Sequence, residues 1–220
     1  LIQRLEIDLS GTEWGDYEET HGYSVEARLE KERIVRAWLS DLPPSEYPIW
    51  DLGANVGAFS RIAAELGHYV VAFDIDPVAV EKNFRNVHES RNSRVLPLRL
   101  DLTNPSPALG WGNEERFSHS QRAPAHVILA LALVHHLAIG ANVPLDRIAS
   151  YFAELSENLI IEFVPKSDPQ VQRLLGSRED IFDSYSERHF EEAFDVYFET
   201  VARARVTGTD RTLYRFCRRR

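Results

Sequence analysis

Two aspartates, Asp51 and Asp74, each follow a short apolar segment, and a glycine-rich stretch lies between them. That stretch, residues 53–57 (GANVG), leads into a segment of helical character that ends at Gly67. In an open parallel sheet, ligands bind outside the carboxyl ends of the strands. The spacing therefore predicts a strand, a helix and a second strand, with an acidic side chain at the end of each strand, where a ligand can reach it.

The residue types of the turn suit close contact between its backbone and a ligand. Gly53 and Gly57 have no Cβ to obstruct that approach, and Asn55 tolerates a left-handed conformation better than most residues. We therefore predict that Gly53, Ala54, Asn55 and Gly57 form a ligand-binding turn.

Asp74 lies roughly 20 residues after the turn, where the acidic residue of nucleotide-binding folds accepts hydrogen bonds from both ribose hydroxyls. The ligand is thus predicted to contain a ribose, with Asp74 and the following Ile75 beside it.

The turn does not match the dinucleotide fingerprint G-x-G-x-x-G. Asn55 stands at the second glycine position and Ala58 at the third. Asp51, just before the turn, would repel a diphosphate, whereas it suits a ligand with an ammonium or sulfonium group.

The pattern D-x-G-x-N-x-G followed by Asp74 closely resembles the first motif of class I S-adenosylmethionine-dependent methyltransferases. The resemblance implies S-adenosylmethionine as the cofactor. It also implies an α/β fold, a Rossmann-like seven-stranded sheet of order 3-2-1-4-5-7-6 with strand 7 antiparallel and helices on both faces.

The resemblance extends to the later strands. Asp101 ends a predicted third strand, where the superfamily often places a polar side chain against the adenine amino group, with Leu102 beside the ring. The fourth strand is predicted over residues 126–133 and contains Leu131, a further candidate for cofactor contact. The fifth is predicted over residues 159–164, and residues 197–206 and 211–218 are predicted to form a closing antiparallel hairpin.

His135 and His136 follow the fourth strand, where this superfamily places residues that face the transferred methyl group. A neutral imidazole there can take a proton from a hydroxyl or amine acceptor. Adjacent side chains point in different directions, so we expect one catalytic histidine, with packing against a helix as the alternative role for either.

Residues 1–45 are predicted to form a helical lead-in that covers the cofactor site. Trp14, Tyr17 and Tyr23 precede Ser24, which is predicted to cap a helix. That helix is predicted to carry Leu29, Ile34, Val35 and Trp38 inward. Together with Lys31, this segment resembles a bacterial branch of the superfamily that includes nodulation-associated methyltransferases. Trp14 would close over the methionine moiety or the substrate and Lys31 would bind its carboxylate; the alternative is that the aromatic residues pack the helix and Lys31 is solvated.

The composition favours one domain over residues 1–220, since 220 residues with 44% hydrophobic content suffice for a full core. No apolar stretch approaches the roughly 20 residues of a membrane span, and no signal pattern is seen. The single cysteine, Cys217, excludes an internal disulfide. We infer a cytoplasmic enzyme. Because the chain begins with Leu1 and contains no methionine, we interpret it as a fragment or a trimmed chain.

The formal net charge of -9 argues against a large nucleic-acid footprint, because such a footprint needs clustered Lys and Arg. The acidic cluster of metal-dependent catechol-type enzymes is not seen near the fourth strand, so no metal site is predicted. The expected partner is a small-molecule acceptor, and the oligomeric state stays open.

The sequence therefore predicts methyl transfer to oxygen or nitrogen of a small polar acceptor. Three alternatives remain: a non-catalytic S-adenosylmethionine-binding partner protein, a polyamine synthase, and an NAD-dependent oxidoreductase, which Asp51 and Asn55 disfavour.

Overall fold

The sheet consists of short strands whose central members are buried on both faces. The computed structural model describes residues 23–176 and 179–220. Within these ranges the strands are β1 (Ile49–Leu52), β2 (Val70–Asp74), β3 (Val95–Arg99), β4 (Val127–Ala130), β5 (Asn158–Phe163), β6 (Phe198–Arg205) and β7 (Thr212–Arg218). Every residue of β1 and β4 is buried, which explains why both read as continuous apolar runs apart from Asp51.

The sheet has seven strands in the order β3-β2-β1-β4-β5-β7-β6. Strands β1 to β5 pair in parallel, whereas β7 is antiparallel to both β5 and β6. The predicted topology and the closing hairpin are confirmed. Because the strand order reverses between β1 and β4, a crevice opens at their carboxyl ends, where ligands bind in such folds.

Helices cover both faces of this sheet. They are α1 (Val25–Ser40), α2 (Ala58–Glu65), α3 (Pro77–Glu89), α4 (Leu145–Leu155), α5 (Pro169–Leu175) and α6 (Glu187–Asp195). Along β4 the side chains alternate between two cores, so Val127 and Leu129 pack with α1 and α2, whereas Ile128 and Ala130 pack with α4.

The helix starts follow their capping residues. Ser24 accepts a hydrogen bond from the Ala27 N–H at 3.1 Å, as predicted. One expectation for α1 is wrong: Leu29 is 55% exposed, and Lys31 is buried instead. Lys31 faces inward because its ammonium pairs with the Glu162 carboxylate on β5.

The long connection over residues 104–124 contains two short 3-10 turns, Trp111–Asn113 and Ser120–Arg122. Leu109 and Arg116 form an isolated antiparallel bridge between them.

Candidate functional site

A cleft with two adjoining cavities lies at the carboxyl ends of β1, β2 and β4. The larger cavity has a volume of about 240 Å³ and the smaller one about 100 Å³. Both are lined by Gly53, Asn55, Leu131 and Ala132, so they form one continuous cleft around the turn after β1.

The turn after β1 has the left-handed conformations that its residue types predict. The φ angles are +74° at Gly53 and 49° at Asn55. The N–H groups of Gly53 and Ala54 both donate to the Phe73 carbonyl at 2.9 Å, which ties the turn to β2. Ala54 lines the smaller cavity, so three of the four predicted turn residues border the cleft.

Gly57 is needed for packing and does not line either cavity. It is the N-cap residue of α2 and has a φ of +79°. A Cβ at this position would lie 2.3 Å from Oδ1 of Asn83 on α3. The glycine therefore lets α2 and α3 approach each other.

Asp74 holds the cleft side of the turn in place. Its Oδ2 accepts a hydrogen bond from the Asn55 N–H at 2.7 Å, and its Oδ1 accepts one from the Asp76 N–H at 2.9 Å. A carboxylate offers about four lone-pair sites, so each oxygen keeps one for a ligand. Burial raises the pKa of Asp74, while the backbone donors oppose that shift.

Asp51 is a buried acid that lines the smaller cavity. The Ser60 hydroxyl donates to its Oδ2 at 2.6 Å. Burial raises the pKa of Asp51 to about 6, and the nearby Asp74 adds to the shift. The isolated carboxylate is thus disfavoured, and a cationic ligand group would relieve that cost.

The larger cavity combines an apolar wall with polar groups at its mouth. Asp101 accepts hydrogen bonds at Oδ1 from the Thr103 N–H (2.8 Å) and from the Thr103 hydroxyl (2.7 Å), and these bonds lower its pKa. Asp101 and Thr103 both line the cavity, although sequence reasoning had missed Thr103. The apolar lining residues are Phe73, Ile75, Leu100, Leu102, Leu131, Leu133 and Leu137.

Lys31 lines the smaller cavity and is 4% exposed. Its Nζ donates to Oε2 of Glu162 at 2.7 Å, so the ammonium is already paired, and the expectation of a solvated lysine is wrong. Tyr23 also lines this cavity, and its hydroxyl donates to Oε1 of Glu162. Burial lowers the pKa of Lys31, while Glu162 opposes that shift.

Arg28, about one turn before Lys31, and Glu32, directly after it, also line the smaller cavity and had been missed. The helical spacing of residues 28, 31 and 32 was the signal that could have found them. Trp14 and Tyr17 lie outside the described residues.

The two histidines after β4 differ in position. His136 lines the larger cavity, whereas His135 is fully buried and lines neither cavity. Burial lowers the pKa of His136 to about 4 and that of His135 well below its usual range. His136 is therefore a neutral imidazole on the cleft wall.

The backbone at the exit of β4 has an uncommon conformation. Ala132, which lines both cavities, has a φ of 52°, and residues His136–Gly140 form a π-helical turn. A non-glycine residue in this region costs about 1–3 kcal/mol, and such strain and π turns are concentrated at functional sites. The strain favours a ligand-binding role for this segment.

Among the described residues, no three His, Cys, Asp or Glu side chains group as metal ligands would. In the same part of the chain, no helix has the length and apolar character needed to cross a bilayer.

A curated nodulation protein is similar to this chain over nearly the whole length of the chain. The chain is 40% identical over 218 residues to the nodulation protein NoeA of Rhizobium meliloti (strain 1021). The match covers 98% of this chain but 45% of NoeA, so the chain spans about half the length of that relative. The similarity to nodulation-associated proteins is thereby confirmed. No family model matches the chain.

Solved methyltransferases share this fold. The N-methyltransferase NodS from Bradyrhizobium japonicum WM9 matches with a TM-score of 0.64 at 14% identity, covering 90% of this chain and 99% of NodS. The magnesium protoporphyrin IX methyltransferase ChlM of Synechocystis PCC 6803 with bound SAH matches with a TM-score of 0.62 at 18% identity, covering 92% of this chain and 93% of ChlM. The chain therefore has the fold of class I S-adenosylmethionine-dependent methyltransferases, as its first motif predicts.

Proposed function

We propose that this chain is an S-adenosylmethionine-dependent methyltransferase that transfers a methyl group to oxygen or nitrogen of a small polar acceptor. The observation that carries the proposal is the placement of Asp51 and Asp74 at the ends of neighbouring strands, one on each of two adjoining cavities. The fold shared with ChlM and NodS supports it.

The residues of the larger cavity fit an adenosine. Asp74 keeps lone pairs for two ribose hydroxyls after it has accepted its two backbone N–H groups. The apolar wall that includes Ile75, Leu102 and Leu131 suits the flat adenine ring, and Asp101 can accept from the adenine amino group.

The residues of the smaller cavity fit the charged methionine end. Asp51 would face the ammonium or sulfonium group, and the backbone of Gly53 and Ala54 borders the same space. Arg28 and Lys31 supply positive charge for the carboxylate from α1. In this proposal, residues 1–45 form the lead-in that covers the cofactor, within a single domain over residues 1–220.

His136 is proposed as the proton acceptor. The cofactor, when bound, supplies a methyl group on an electrophilic sulfonium, so the protein mainly has to align the acceptor and remove its proton. The imidazole of His136 stays unprotonated at neutral pH because burial lowers its pKa to about 4. His135 lines neither cavity, so the proposal gives the role of base to His136 alone.

Cofactor affinity should depend on pH through Asp51. In the ligand-free protein, burial raises the pKa of Asp51 to about 6. The contribution of the protonated Asp51 side chain to the stability of the fold is therefore lost as the pH rises through that value. A bound cation favours the ionised form, which is about one tenth populated at pH 5 and about nine tenths at pH 7. We expect the affinity for S-adenosylmethionine to rise about tenfold over this range in calorimetric titrations.

Asp51→Asn is the control for this pH dependence. It keeps the size and one oxygen for the Ser60 hydroxyl but cannot ionise, so its affinity should be lower and nearly constant between pH 5 and pH 7. An unchanged slope in this variant would assign the pH dependence to another group.

The function itself is tested by titrating the purified chain with S-adenosylmethionine and separately with NAD. We expect saturable binding of S-adenosylmethionine and no comparable heat with NAD. His136→Ala should keep this affinity and slow transfer of labelled methyl groups to a panel of amines and alcohols by about 10²–10⁴-fold. A folded wild type that prefers NAD, or binds neither ligand, would refute the assignment.

A further inference from the structure

Arg211 is a buried cation with unused hydrogen-bonding capacity. It directly precedes β7 and is 1% exposed. Its Nε and Nη2 donate to the carboxylate of Asp168, the N-cap residue of α5, at 2.7 and 3.1 Å. Its Nη1 has no hydrogen-bond partner among the residues that the structure describes. A charged donor left in this way costs more than the roughly 1–3 kcal/mol of a neutral one.

His135 is a second buried group with unused capacity. It is 0% exposed, and within the described ranges neither Nδ1 nor Nε2 has a partner. Burial lowers its pKa, and the charges of Arg211 and Lys31 lower it further, which indicates that these cations are near the ring. A neutral imidazole there offers one donor and one acceptor.

These two groups lie directly behind the wall of the cleft. The Tyr23 ring, which lines the smaller cavity, lies over the Arg211 guanidinium with Cζ 4.3 Å from the ring centroid. The His136 ring, which lines the larger cavity, is centred 4.0 Å from the His135 ring. Each unsatisfied group is therefore separated from the cleft by one ring, Arg211 by that of Tyr23 and His135 by that of His136.

We propose that Arg211 and His135 bind a carboxylate of the methyl acceptor, which would make the acceptor a carboxylic acid that also bears an amine or hydroxyl. This inference rests on the proposed methyltransferase function. Arg211 Nη1 and the His135 N–H supply two donors, which match the two oxygens of a carboxylate. Asp168 fixes the other edge of the guanidinium, so the remaining donors are preorganised.

The charges of the cluster are compatible with such a ligand. Lys31 and Arg211 are balanced by Glu162 and Asp168, so the four ions sum to zero. A bound carboxylate raises the pKa of His135, and the imidazole can then take up a proton and restore neutrality.

The test is a nuclear magnetic resonance titration of the ¹⁵N-labelled full chain saturated with S-adenosylhomocysteine. Sodium benzoate is the probe, benzamide is its neutral counterpart, and the arginine Nε–H and imidazole nitrogen signals are followed. We expect saturable shifts of Arg211 and His135 with benzoate and at least tenfold weaker binding of benzamide. Equal effects of the two compounds, or no saturable shift at Arg211, would overturn the proposal.

Two substitutions localise the site. Arg211→Gln should weaken benzoate binding at least tenfold, whereas Arg205→Gln, on the exposed hairpin end, should leave it unchanged. If Arg211→Gln loses its dispersed spectrum, Arg211→Lys keeps the charge without the planar fork and should also bind benzoate at least tenfold more weakly. Undiminished binding in a folded Arg211 variant contradicts the proposal.

The carboxylate could also be that of the cofactor, and a separate titration decides this. 5′-Methylthioadenosine lacks the amino-acid end of S-adenosylhomocysteine. If S-adenosylhomocysteine alone shifts Arg211 and methylthioadenosine does not, the site belongs to the cofactor and the acceptor proposal fails. Benzoate binding at Arg211 in a protein that gives no heat with S-adenosylmethionine would instead refute the proposed function and leave the anion site standing.

Discussion

Asp74→Ala is expected to lower the affinity for S-adenosylmethionine by about 10²- to 10⁴-fold, because it removes the proposed acceptor of two ribose hydrogen bonds, each worth about 1.5–3 kcal/mol to a charged group. The same change releases the Asn55 N–H, which Asp74 now holds at 2.7 Å, so the turn loses part of its preorganisation as well. Calorimetric titration of the wild type and the variant measures the effect.

Asp76→Ala provides the matched control for Asp74→Ala. Asp76 is also an acid after β2, but its Oδ1 caps α3 by accepting from the Val78 N–H at 2.8 Å. Its loss should cost about 1 kcal/mol of stability and leave the cofactor affinity within a factor of about three. Equal losses of affinity in the two variants would mean that the helix start, and not the ribose contact, governs binding.

The fold and the turn after β1 could be predicted because their determinants are local in the sequence. The segment over residues 49–74 contains a strand, a turn, a helix and a second strand, which form one βαβ unit. The strand order then follows from the resemblance of this segment to the first motif of class I methyltransferases. The left-handed angles at Gly53 and Asn55 are consequences of residue type at fixed positions. The contact between Gly57 and Asn83 depends on how α2 packs against α3, so local sequence could not reveal it.

The polar cluster behind the cleft could not be predicted because its partners are distant along the chain. Lys31 and Glu162 are 131 residues apart, and Arg211 and Asp168 are 43 apart. Helical periodicity placed Leu29 inward, yet a lysine with a buried carboxylate partner takes the inward position. The π turn that begins at His136 decides which histidine faces the cleft, and sequence patterns do not specify such turns.

The buried pair of Lys31 and Glu162 gives the prediction with the largest effect on stability. Glu162→Gln keeps an oxygen for the Tyr23 hydroxyl but leaves the buried Lys31 ammonium without its ion-pair partner. Breaking one partner of such a pair costs about 3–5 kcal/mol. For a protein of this size, this corresponds to a fall in Tm of roughly 6–20 °C, which thermal unfolding measures.

The double variant Lys31→Met/Glu162→Gln and an exposed ion pair together decide whether charge burial is the cause. Replacing both members of a buried pair is often close to neutral, so the double variant should recover most of the stability that Glu162→Gln loses. Arg36 and Glu65 are a similar pair on the surface at 2.6 Å, and Glu65→Gln should change stability by less than about 1 kcal/mol.

Because Lys31 also lines the smaller cavity, the double variant should bind S-adenosylmethionine more weakly although it is stable, which separates the two roles of this lysine. A Glu162→Gln protein as stable as Glu65→Gln would show that Lys31 sheds its proton or reaches water, and that α1 does not depend on this pair for its position on the sheet.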